Sequence, residues 1–544
     1  MSSLGYGRFV IDKLCKIKLN SLKIPVLFII GSFARDFTLF LTGTFILNKL
    51  IIYFFFGFGL FFFRYGIFAD TRKLFINPHY LFIFTSLFIL AFSCVISTLT
   101  PVFFDFQSYH FYLPEHFLRM KKISAIDYNT HSLFFSYFHS GYLFFAALKN
   151  YNAPLVLQVI ICCIIAISGA ELFNENIFKS LTLLMLTPFF LICIYMGNTD
   201  LITALIVVTS FGIILNDKLI LQKNFFILSI ILLLLCFFVK VLNIFYLIAA
   251  LFYITIFYRS LMNVKPIICI GAFFLSLYIL QNKFYLSNWT GVLSLSDVYL
   301  FDGINRMRQF ISNSTVTHLL KTLNPFSNIT SLFIPLIFFL TIGLFYKKEK
   351  KKIGLIILPY LFFAFYINDI RDFQRFSIGL SFFAVYFVFD VLEKKKYFLK
   401  MLFLAGIILL FTAIVEFNLH LNFINLLFGN VNNCIYNAHI KKIISDKCNK
   451  GNVLVLFDNQ RLFFPENCIT PDVYAKKFIV DMINSIDLRN AKNIKYIYMD
   501  FKLFDLYNNQ YKLLSENDYK KLFDLINNGN IIYKDSTNLI IECS

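Results

Sequence analysis

A soluble chain of 544 residues would form about three or four domains, but here 58% of residues are hydrophobic, 15% are charged and Phe alone occurs 73 times. That composition excludes a soluble fold for most of the chain. The formal net charge of +19 does not indicate nucleic acid. The basic residues cluster as Lys347, Lys348, Lys350, Lys351 and Lys352, and again as Lys394, Lys395 and Lys396, each group between apolar segments as in cytoplasmic loops. No basic stretch is interleaved with exposed aromatics.

From the N-terminus, Arg8, Lys13, Lys16, Lys18 and Lys23 precede the first long apolar run without a signal-peptide cleavage pattern, so residues 1–23 read as a cytoplasmic tail. Apolar runs close to the roughly 20 residues that cross a hydrocarbon core then recur over 24–417. Working forward, spans over 24–46, 49–63 and 79–100 put Arg64, Arg72 and Lys73 inside and an external loop over 101–153. Working backward from the lysine clusters, spans over 377–392, 353–368, 328–346, 266–281, 241–258, 224–239, 201–216, 180–197 and 154–170 leave Lys218, Lys223 and Arg259 inside. They also leave external loops at 283–327 and 368–376.

The two walks agree only if the apolar stretch 132–148 does not cross the membrane, so it reads as a helix in the interface or dipping in from outside, against an ordinary span with one of the other crossings miscounted. A last span over 398–417 brings the total to about thirteen. The expected fold class is therefore mainly α: a polytopic transmembrane helical bundle over 24–417, followed by a small extracytoplasmic α/β domain over 418–544. In that domain the pattern predicts strands at Val453–Phe457, Ile494–Met499 and Leu539–Glu542, with helices around 472–486 and 516–527. An oxidising outer compartment would allow Cys434, Cys448, Cys468 and Cys543 to form two disulfides in any of three pairings. No CxxC spacing suggests zinc.

Ionisable residues gather on the external side, and the richest segment is FDFQSYHFYLPEH over 104–116. Asp105 there serves either as general base, metal ligand or acceptor for a polar substrate, or as the cap of a helix starting near Gln107. Tyr109, His110 and Glu115 are candidates to bind substrate, against an ordinary solvated reading. Asp200, in GNTD over 197–200, lies at another external helix end, and Lys240 interrupts a long apolar stretch as either a phosphate ligand or a snorkelling lysine. Arg371 and Arg375, in NDIRDFQRF over 368–376, stand at the outer end of a span, where paired guanidinium bonds suit a phosphate. Asp369 and Asp372 offer them ion-pair partners instead. The loop 283–327 is long enough to expect function, and Trp289 within it either stacks on a sugar or anchors at the interface.

The order of these features resembles the GT-C superfamily of integral-membrane glycosyltransferases, above all the bacterial members related to protein mannosyltransferases and lipid A aminoarabinose transferase. The likeness rests on Asp105 opening the first external loop, Tyr109-His110 and Leu113-Pro114 following it, a juxtamembrane apolar helix, the 197–200 motif, an external arginine and a C-terminal outer domain. It implies an enzyme that moves a sugar from a polyprenyl-phosphate donor to an envelope glycan, lipid or protein, with its site and C-terminal domain outside the cytoplasmic membrane. It also implies that Asp105 is the base and that Arg375, the better match, or Arg371 holds the lipid phosphate. Many members carry a second acid beside that aspartate, whereas Phe104 and Phe106 flank Asp105; this departure favours metal-independent, inverting transfer with no cofactor. An O-antigen-type polymerase or ligase would place its external polar mass in mid-chain and lack the terminal domain. A lipid or polysaccharide transporter would show internal repeats and midplane charges.

Overall fold

A computed structural model describes residues 1–15, 19, 21–63, 109–150, 153–185, 193, 199–261, 264–312, 350–366, 379–383, 385–386, 437–456, 458, 461–487, 494–511 and 514–543. The chain forms two compact units that do not follow chain order. The first takes residues 1–101, 136–278 and 313–429, and the second takes 102–135, 279–312 and 430–544.

The first unit is helical. Among the described residues, Lys23–Gly43, Ala153–Phe173 and Lys265–Leu286 are long and apolar enough to cross a membrane, and Lys49–Phe62, Asp200–Leu215, Lys223–Val239 and Val241–Phe257 are shorter apolar helices. Every residue of Asp200–Leu215 is buried, as expected of a helix that is apolar all round and central to its bundle. Small and polar side chains bring its neighbours close: Gly212 faces Leu172, Ser168 Oγ lies 3.0 Å from Thr209 Oγ1, and Asn216 Nδ2 donates to the Leu172 carbonyl at 3.2 Å. Residues 1–23 begin with a helix, Ser2–Arg8, buried against Lys23–Gly43 and Lys49–Phe62. The approach requires glycine, since a β-carbon at Gly31 would collide with the Ser3 carbonyl. The stretch 132–148 is not one helix. A 3₁₀ turn at Thr130–Phe134 is followed by two short helices, Tyr137–Ser140 and Tyr142–Ala147, broken at Gly141.

The second unit is built on a five-stranded sheet in the order β2-β1-β3-β5-β4, with β1 Asn452–Leu456, β2 Cys468–Ile469, β3 Ile494–Asp500, β4 Asn530–Lys534 and β5 Asn538–Glu542. β1 pairs in parallel with β2 and β3, whereas β5 runs antiparallel to β3 and β4. Alternation along the strands fills a core on each face. Leu454, Leu456, Ile497 and Met499 pack against Phe478, Ile479, Met482 and Ile483 of the helix Lys476–Asp487. Val453, Val455, Tyr496 and Tyr498 pack against Ile440 and Ile444 of the helix Ala438–Lys447. Ser515 and Asp518 form a reciprocal capping box at the start of Glu516–Asn528.

The three expected strands and both expected helices are present to within a few residues, Phe457 itself lying outside the described residues. β2, β4 and the helices Ala438–Lys447 and Phe501–Tyr511 are additional. Two further sequence expectations are corrected. Within 283–327, read as a loop, Val298–Ser312 is a helix whose first turn is capped by Asp297, which accepts the Tyr299 and Leu300 N–H groups at 3.0 and 2.9 Å. Its Leu300, Ile304 and Met307 bury against Leu133. Cys448, Cys468 and Cys543 are free thiols, the first two packed as small apolar side chains in the core beneath Ala438–Lys447; Cys434 lies outside the described residues.

Candidate functional site

In the second unit the polar residues of 109–131 converge with residues contributed by the C-terminal sheet region. The helix Tyr112–Met120 carries Pro114 in its first turn and stops at Lys121, which is left-handed (φ 55°). Just before it, the Tyr109 ring lies 4.2 Å from the ring of His110, which is buried, and stacks on the His131 ring at 4.7 Å and 10°. His131 Nδ1 is 3.3 Å from Asp472 Oδ2. The same carboxylate accepts the Thr130 N–H at 2.5 Å, the Thr130 hydroxyl at 3.3 Å, the His131 N–H at 3.4 Å and the Tyr474 N–H at 2.9 Å. The Asp472 N–H in turn donates to the Tyr128 carbonyl at 3.0 Å.

Asp472 is 1% exposed. Burial pushes its carboxyl pKa up, but the His131 ring, Arg461 and the Tyr474 N–H outweigh that and hold it below the ordinary value. Arg461 is equally buried; desolvation draws its guanidinium down, opposed first by Asp472 and then by Tyr112, Tyr128 and Asp458. Lys441 Nζ lies 3.5 Å from Asp458, so two buried cations face two buried carboxylates. Glu115 is committed to Arg119 one turn on, at 3.0 Å, and Arg119 also approaches Glu466 at 3.7 Å. Burial, with the charge of Arg119, lowers His116 to a pKa of about 4.

In the first unit the structure brings Asp200 and Lys240 together as a direct ion pair. Asp200 is the first residue of its helix, and Lys240 occupies an extended break (φ −148°, ψ 131°) after Lys223–Val239. Asn243 secures the break by donating to the Cys236 carbonyl at 2.9 Å and to Thr203 Oγ1 at 3.3 Å. A second buried pair joins Arg35 Nε to Asp36 Oδ1 at 2.6 Å within Lys23–Gly43, with the Arg35 guanidinium 4.0 Å above the Phe56 ring.

Asp105, Arg371 and Arg375 lie outside the described residues. Of the other sequence candidates, Tyr109 and His110 share one cluster, Glu115 faces its own helix, and Asp200 and Lys240 share another cluster. Sequence reasoning missed Asp472, Arg461, His131 and the Arg35–Asp36 pair. Only the last had a local signal, two ionisable residues inside an apolar run. Among the described residues no three His, Cys, Asp or Glu side chains converge as metal ligands.

The fold is that of a solved membrane-protein structure, and three of the described helices are long and apolar enough to cross a membrane. It is similar to the crystal structure of ArnT from Cupriavidus metallidurans bound to undecaprenyl phosphate, over 85% of this chain and 97% of that one, with a TM-score of 0.50 and 10% sequence identity. No protein-family model matches the sequence, and no curated protein matches it.

Proposed function

We propose that the chain is an inverting glycosyltransferase that moves a sugar from a polyprenyl-phosphate-linked donor to an envelope glycan, lipid or protein at the outer face of the cytoplasmic membrane. The observation that carries this reading is the fold shared, over most of both chains, with a protein crystallised on undecaprenyl phosphate. In the proposed step, the Asp105 carboxylate takes the proton of an acceptor hydroxyl. The oxygen then forms a bond to the anomeric carbon from the face opposite the phosphate, and the carbon–oxygen bond to phosphate breaks with its electron pair on the leaving polyprenyl phosphate. Tyr109 and His110, four and five residues beyond Asp105, orient the sugar or acceptor. Arg375 and Arg371 are the proposed principal cations for the phosphate, with Lys240, paired to Asp200, as a further candidate.

The test is transfer by purified protein in liposomes loaded with undecaprenyl-phosphate-linked pentoses and hexoses. Asp105→Asn should reduce turnover by at least about 100-fold with donor binding retained. Arg375→Ala should raise the donor KM about tenfold or more. Near-normal turnover in the first variant removes Asp105 as the base, and an unchanged donor KM in the second removes Arg375 from the phosphate site.

A further inference from the structure

We propose that Asp472 is a positioning residue for transfer: by gripping Thr130 and His131 it fixes, through the His131–Tyr109 ring stack, the segment on which Tyr109 and His110 follow Asp105. The inference deepens the transferase reading above and rests on it. Its consequence is that the C-terminal sheet region is a structural part of the transfer site, and not an appended module.

The geometry supports this from both ends of the contact. The 3₁₀ turn Thr130–Phe134 begins at Asn129, whose side chain makes no capping bond. Its first two N–H groups are capped instead by Asp472, which is 342 residues away for Thr130 and 341 for His131. Asp472 is itself held on both sides, by the Tyr474 N–H to its carboxylate and by its own N–H to the Tyr128 carbonyl. A carboxylate so constrained sets the backbone position of Thr130 and His131. The same carboxylate lies beside the His131 ring, with Nδ1 3.3 Å from Asp472 Oδ2. The near-parallel stack then transmits that orientation to Tyr109. A buried carboxylate that accepts backbone bonds and faces an imidazole fixes geometry more tightly than apolar packing, which tolerates sliding. Small misplacements near a reacting centre are costly to turnover.

The experiment uses the full-length protein in lipid nanodiscs, with hydrogen exchange over residues 109–116 and transfer kinetics from an undecaprenyl-phosphate-linked pentose or hexose. Asp472→Ala should speed exchange over 109–116 and lower kcat about 100-fold, while the donor KM stays within about threefold, because Arg371 and Arg375, proposed above for the lipid phosphate, are not among the residues Asp472 holds. The control is Asp535→Asn. Asp535 caps the turn between β4 and β5 through the Thr537 and Asn538 N–H groups, so its loss loosens the sheet without touching 109–131. It should alter neither readout.

If Asp472→Ala fails to fold, His131→Ala removes the stacked ring with Asp472 intact and should reproduce both effects. Wild-type exchange over 109–116 in these variants, or a kcat loss no greater than that of Asp535→Asn, overturns the proposal. If the wild-type protein transfers no sugar while Asp472→Ala still loosens 109–116, the transferase reading falls and the positioning contact stands.

Discussion

Charge is buried differently in the two units. Among the described residues of the helical unit it is buried as ion pairs within or between helices: Lys240 with Asp200, Arg35 with Asp36, and Lys179 with Glu175. In the sheet unit it is buried in a network, where Asp472 accepts from several donors and Arg461, Asp458 and Lys441 lie buried in the same region. The difference follows from the surroundings available to each. A helix satisfies its own backbone and has few backbone groups left to offer a charge, so its ionic side chains are met mainly by other side chains. Irregular segments such as 128–131 and 472–474 expose backbone N–H groups that must find acceptors, and a single carboxylate can serve several.

The strongest way to break this comparison is to remove one member of a helical-unit pair. Lys240→Met should destabilise the protein by about 3–5 kcal/mol, because Asp200 loses its ammonium at a site 1% exposed. Converting both partners, Asp200→Leu with Lys240→Met, should recover most of that loss in thermal unfolding of the detergent-solubilised protein. A single variant as stable as wild type would mean the pair is solvated and the contrast is wrong.

A smaller effect comes from the pH response of the sheet unit. The folded pKa of His116 lies near 4, below the roughly 6.5 of a free histidine. The unfolded chain therefore binds a proton between those values that the folded one refuses. Stability is complete above about pH 6.5 and declines toward pH 4, by up to about 1.4 kcal/mol per pH unit. His116→Gln should flatten hydrogen-exchange protection across that window, and an unchanged slope would assign the decline to other groups.

The smallest effect belongs to the surface. Arg119 pairs with Glu115 and approaches Glu466, whose side chain is 82% exposed, so Arg119→Ala should cost at most about 1 kcal/mol and less in high salt. A larger loss would extend the buried network outward to the helix Tyr112–Met120.

Legibility in the sequence followed the range of the interactions. β1, β3 and β5 were readable because their apolar residues alternate over a sheet covered on both faces. β4 was not, because it is an edge strand, largely solvent-facing and ending in Lys534. Val298–Ser312 was read as loop because of its polarity, although Leu300, Ile304 and Met307 carry a helical spacing that the structure uses. At the site, Tyr109 and His110 could be singled out from their own neighbours. Asp472 could not, since nothing near it in the chain indicates that its partner is Thr130.

That separation also has a consequence in time. The sheet unit is assembled from three stretches of chain, and the acceptor that completes the Thr130 and His131 N–H groups is synthesised 342 residues after Thr130. At about 5–20 residues per second, the segment carrying Thr130 waits roughly 17–70 s for it. A chain truncated before residue 472 would therefore lack the acceptor of the Thr130 and His131 N–H groups.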